Sequence, residues 1–91
     1  MSSELELISK MLLEGTPQRL VERKVKPTMF AELRPTFEFV SRHYEEYGTM
    51  PTVETIQRYF PNFTPSATLP EPVDFYIDEL RKKRTYTLPI S

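Results

Sequence analysis

PTFEFVSRHYEEYG, residues 35–48, carries the clearest periodicity in the chain. At about 100° per residue, Phe37, Val40, Tyr44 and Tyr47 fall on one face, while Glu38, Arg42 and Glu46 follow one another at i, i+4 on the opposite side. This is the pattern of an amphipathic helix from Pro35 to Tyr47, and Gly48 is its natural left-handed cap. A strand would need alternation with a period of two, which this stretch lacks.

Reading outward from this helix gives more of the same kind. Downstream, Pro51 and Thr52 open a short helix over residues 53–60, with Val53, Ile56 and Phe60 on one side, and Pro61 closes it. The segment NFTPSATLPEP, residues 62–72, is punctuated by prolines and flanked by another, so it forms neither a long helix nor a central strand. Beyond it a helix is expected from Val73 to about Thr85, with Val73, Ile77 and Leu80 as its buried stripe. Its acidic residues Asp74, Asp78 and Glu79 precede Arg81, Lys82, Lys83 and Arg84, the order that complements a helix dipole.

Upstream, Ser3 and Glu6 stand at capping-box spacing, and Leu5, Ile8 and Leu12 recur at helical intervals until Gly15. Thr16 followed by Pro17 opens a second, short helix over QRLVERK, residues 18–24, which has to stop before Pro27. Thr28 gives a further start signal, but Pro35 disfavours helix at Arg34, so a short turn is expected there. The fold expected is all-α: a compact bundle of about five short helices, with a Pro-rich loop before the last. Its organisation reads as a head over residues 1–61, the loop over 62–72, and a final helix and tail over 73–91.

Composition narrows the function. The 91 residues suit one domain with a single modest core. With 38% hydrophobic and 27% charged residues the chain resembles an average soluble protein, and no apolar run approaches the roughly 20 residues of a membrane span. The acidic start, MSSELELISK, does not resemble an export signal, so a cytoplasmic protein is expected. There is no cysteine, hence no disulfide and no thiolate metal site. A net charge of −1 argues against a general binder of nucleic acid or acidic membranes.

No constellation for chemistry is legible. The two glycines, Gly15 and Gly48, stand at helix ends, so there is no phosphate-cradling loop. The lone histidine, His43, lies at the edge of an apolar arc between Phe39 and Tyr47 and reads as a packed or rim residue rather than a ligand or base. Catalytic, cofactor-binding and metal-ligating residues are therefore all read as none, and neither a small-molecule substrate nor a membrane is expected as a partner. The basic run Arg81, Lys82, Lys83, Arg84 is a candidate for weak nucleic-acid contact, weighed against a plain dipole-complementing face.

The apolar faces are broader than one core contact requires. Leu7 and Met11 widen the arc of the first helix, Phe39 stands off the main stripe of its helix, and Phe75 points about 160° away from Val73, Ile77 and Leu80. With six phenylalanines and five tyrosines and no catalytic set, this excess points to another protein chain or another copy of this one. Leu7, Met11, Phe39, Phe75, Tyr76 and Asp78 are the candidate interface residues.

VKPTMFAELRPTFEFVSRHYEEYGTMPTVETIQRYFP, residues 25–61, resembles the N-terminal domain of DnaB-type replicative DNA helicases, phage-like members in particular. The family's pattern falls here on Val25, Pro27, Phe30, Arg34, Phe37, Val40, Tyr44, Gly48, Pro51, Thr52 and Ile56, and LISKMLL, residues 7–13, suits its opening helix. The resemblance implies a non-catalytic helical head that helps to assemble a hexameric ring and presents a surface to primase or a helicase loader. ATP hydrolysis and DNA translocation would belong to a RecA-like domain to which nothing here corresponds, so this chain is expected to be a fragment, touching DNA only through the parent assembly. The family's helical hairpin, which makes pairwise ring contacts, is matched at best by its first arm in residues 73–85.

Two other readings compete. HYEEYGTMPTVETIQRYF, residues 43–60, also looks like the opening of a LexA-type helix-turn-helix, but NFTPSATLPEP stands where a polar, basic recognition helix should follow. The other is a freestanding phage regulator that mimics the helicase head and captures a primase or loader without a ring.

Overall fold

In the computed structural model, residues 3–66 and 68–86 are described, with side chains as far as Arg81. The fold is an all-α bundle: α1 (Ser3–Glu14), α2 (Gln18–Glu22), a 3-10 turn (Pro27–Met29), α3 (Arg34–Tyr47), α4 (Val53–Tyr59) and α5 (Val73–Tyr86), with no strand among the described residues.

Local chemistry sets most of the boundaries. Gly15, at φ +79°, ends α1 with its N–H on the Met11 carbonyl at 3.1 Å. Gly48, at φ +75°, ends α3 with its N–H on the Tyr44 carbonyl at 2.8 Å. The Thr52 hydroxyl accepts from the Thr55 N–H and caps α4. Thr16 Oγ1 accepts from the Gln18 N–H at the entrance to α2.

Several boundaries differ from expectation by one or two residues, α4 for instance ending at Tyr59 with Phe60 as its C-cap. α2 stops at Glu22 rather than residue 24, because Lys24 adopts a left-handed φ of +58°. Its N–H bonds the Val21 carbonyl and the Val25 N–H bonds the Leu20 carbonyl at 2.9 Å, a Schellman closure built on lysine instead of glycine. α3 starts at Arg34, one residue earlier than expected, with Pro35 in its first turn, where a missing donor costs nothing.

α5 packs along α1 and also meets α2 and the 3-10 turn, burying Val73, Tyr76, Ile77 and Leu80 in the same core as Leu7, Ile8, Met11, Phe37, Val40 and Ile56. The last helix thus shares one core with the elements of residues 1–61. The Pro-rich segment crosses α1 as well: the Ser66 N–H donates to Ser9 Oγ at 2.9 Å, and Lys10 Nζ donates to the Leu69 carbonyl at 3.3 Å. Phe63 is buried, and its carbonyl accepts from Gln57 Nε2 at 2.8 Å. At the other end of α1, the buried Glu4 accepts from the Leu33 N–H.

This crowding explains why the arc of α1 is so wide. Leu7 and Met11 are fully buried beneath these neighbours, which corrects their nomination as interface residues: their breadth serves several internal contacts, not a second surface. α3 departs in the opposite sense. Phe37 stacks on Phe30 at 4.3 Å and Val40 is buried, but Tyr44 is only half-buried and Tyr47 is 68% exposed, because the C-terminal half of the helix runs past the core.

Candidate protein-docking surface

Of the other nominated interface residues, Tyr76 is also core. Its ring is buried and its hydroxyl accepts from the Glu71 N–H at 3.3 Å. Asp78 is exposed, but it is engaged within the chain: its carboxylate accepts from Arg23 Nη2 at 2.8 Å. Asp74, one turn earlier on α5, accepts from Arg19 Nε at 2.9 Å and Arg23 Nη1 at 2.8 Å. Together these four residues clamp α2 to α5.

The hydrogen bond from Arg19, with that from Arg23, holds the Asp74 carboxyl below its ordinary value, and Asp74 and Glu22 raise Arg19 in return. Asp78 and Asp74 raise Arg23. Glu22 is lowered by the side-chain amide of Gln18 and by Arg19.

The basic run at the end of α5 is not one patch of free cations. The Arg81 guanidinium is half-buried and donates to the Arg23 carbonyl at the end of α2, so it ties two helices together instead of facing solvent. The side chains of Lys82, Lys83 and Arg84 lie outside the described residues.

Phe75 and Phe39 remain at or near the surface. Phe75 is 42% exposed and meets Tyr76 edge-on at 5.3 Å. Phe39 is half-buried and belongs to an aromatic set built by α3 and α4. Its ring lies 5.1 Å from Tyr59, 5.9 Å from Phe60 and 6.2 Å from His43, and His43 lies 4.7 Å from Tyr47. Tyr47 and Tyr59 are 68% and 62% exposed. His43 Nδ1 is 2.9 Å from the Thr49 carbonyl, so Nδ1 carries the proton in that contact and the imidazole is fixed between its neighbours as a rim residue.

Phe39, His43, Tyr47 and Tyr59 line an open groove of about 370 Å³ together with Arg42, Glu46 and Thr55. Two exposed tyrosines beside a half-buried phenylalanine and a fixed histidine form a rigid, amphipathic contact area of the kind that anchors protein interfaces. The Phe39, His43, Tyr47 spacing of i, i+4, i+8 was visible in the sequence. That Tyr59 of α4 joins it depends on how α4 folds back on α3.

A second groove, of about 400 Å³, lies between α2 and α3 and is lined mainly by Leu20, Val21, Val25, Pro27 and Phe37. Sequence reading gave no sign of it, since its walls come from three separate segments. Among the described residues no group of three or more His, Asp or Glu side chains is placed to hold a metal ion, and no helix is long and apolar enough to cross a membrane. Comparison of the chain with protein-family models, with curated proteins and with solved structures finds no match.

Proposed function

We propose that this chain is a non-catalytic assembly and docking domain, the N-terminal head of a DnaB-type replicative helicase, contributing to ring assembly and to capture of a primase or helicase loader. The α3–α4 aromatic face is its docking surface. The observation that carries the reading is the pair of exposed tyrosines, Tyr47 and Tyr59, set against Phe39 and His43 within the stretch that bears the family resemblance. The all-α fold is compatible with that head, and within the stretch that bears the resemblance Gly48 caps the end of α3 and Thr52 the start of α4.

The helix-turn-helix alternative is less well supported. After α4 the described chain enters the segment that crosses α1, and the next helix is α5, which uses its apolar stripe against α1.

Two experiments test the reading. The native open reading frame is expected to continue past Ser91 into a Walker segment, and a stop codon there would sink the helicase assignment. Titration of the purified chain with the primase and the loader of its own replication system is expected to show binding that Tyr47→Ala with Tyr59→Ala reduces at least about tenfold, as for central aromatic anchors. Equal binding by the double variant would remove the α3–α4 face as the docking surface.

A further inference from the structure

We infer that the α2–α3 groove is a second docking site, which takes a short amphipathic helix of another protein carrying aliphatic residues one turn apart and an arginine or lysine at their flank. The site is independent of the helicase reading and of the α3–α4 face. Phe37, Ser41, Tyr44 and Glu45, which line it, lie on roughly the opposite side of α3 from Phe39, Arg42 and Glu46. Leu20 and Phe37 are buried and form its floor, while Val21, 67% exposed, stands on its α2 wall. A valine so placed leaves apolar surface in water, which a partner's aliphatic side chain would cover.

The α3 wall is polar. Ser41 and Tyr44 are half-buried and Glu45 is exposed, and their side chains have no partner among the described residues. Glu45 is the one charged side chain among those lining the groove; Lys24 and Lys26 neighbour Val25 in sequence but do not line it. Gln18, on the α2 side, is already engaged with Glu22. An apolar strip beside an uncompensated carboxylate complements a cation carried on an aliphatic stem, as arginine and lysine present it. The same carboxylate repels an acidic peptide or a nucleic-acid backbone. Both α2 and α3 close their backbone hydrogen bonds within themselves, and the described residues include no strand edge to which an extended segment could add. The partner therefore has to arrive with its own backbone satisfied, which a helix does. From Phe37 to Glu45 the α3 wall runs about 12 Å, room for about two turns of such a helix.

The test is selection on the full chain from a displayed library of alanine-based helices of about 15 residues, randomised along one face. Enriched peptides are then titrated against isotope-labelled protein by NMR. Aliphatic residues at i, i+4 with a flanking arginine or lysine are expected to be enriched, and to shift the amides of Val21, Ser41 and Glu45. Val21→Glu and Glu45→Lys, both at exposed side chains, are each expected to weaken binding at least about tenfold with helicity unchanged by circular dichroism. Tyr47→Ala with Tyr59→Ala is expected to leave it unchanged, and selection against Glu45→Lys should return an acidic residue in place of the basic one. No enrichment on the wild type over the Val21→Glu, Glu45→Lys double variant overturns the proposal, as does a wild-type preference for acidic peptides. Peptides whose binding depends on Tyr47 and Tyr59, and not on Val21 and Glu45, overturn the groove and leave the α3–α4 docking surface in place. Shifts of the groove amides with protein concentration alone would put a second copy there and overturn it equally.

Discussion

Glu4 Oε1 accepts a hydrogen bond from the backbone N–H of Leu33 at 2.9 Å, across 29 residues of chain. Leu33 is the N-cap residue of α3, so a carboxylate in the first turn of α1 fixes where the longest amphipathic helix of the head begins. Glu4 is buried and its carboxylate also faces the positive end of the α3 dipole. Glu4→Ala is expected to destabilise the fold by about 1–3 kcal/mol, because the Leu33 N–H loses its partner. Glu4→Gln keeps an acceptor and should cost less. Urea unfolding followed by circular dichroism measures both.

The contrast between Met11 and Phe75 separates core from surface. Met11 is fully buried in the core that α1 shares with α5, and Met11→Ala is expected to cost about 2–5 kcal/mol. Phe75 leaves 42% of its surface exposed, and Phe75→Ala should cost about 1 kcal/mol or less. Thermal unfolding of the two variants side by side checks the ordering, and equal losses would mean that α5 sits differently on α1.

The α2–α5 clamp carries a pH signature. Arg19 and Arg23 hold Asp74 below its ordinary value of 3.8, so the clamp contributes stability above that value and loses it as the pH falls through the lower, folded-state value. Asp74→Asn removes that dependence. The wild type is expected to be the more stable at neutral pH, and the two stabilities should converge as the solution is acidified from about pH 5 to pH 2. Unfolding midpoints measured across that range decide it.

Lys24 and Gly48 occupy the same left-handed region at helix ends, one with a side chain and one without. A Cβ at Gly48 meets nothing within 4 Å, so Gly48→Ala is opposed by backbone strain alone, about 1 kcal/mol. Lys24→Gly is expected to gain several tenths of a kcal/mol by removing the corresponding strain beneath an intact Schellman closure. Opposite signs for these two substitutions in chemical denaturation are the expected result.

The sequence by itself determined the number and type of the helices and their limits to within one or two residues. Gly15, Gly48, Thr52 and the prolines act on hydrogen bonds within one turn, so their effect does not depend on the rest of the chain. The same locality explains why His43 was legible as a rim residue between Phe39 and Tyr47, all three standing on one helix. Tertiary structure decided what those helices bury. Leu7, Met11 and Tyr76 look surplus on isolated helices and are core because α5 and the loop return over α1 from more than fifty residues away. Asp78 and Arg81 look free in sequence and instead hold α2, through partners that only the bundle brings near. Tyr47 belongs to the apolar stripe of α3 yet stands exposed, because that helix outlasts the body it packs on. Periodicity states which residues share a face; only packing decides whether anything covers it.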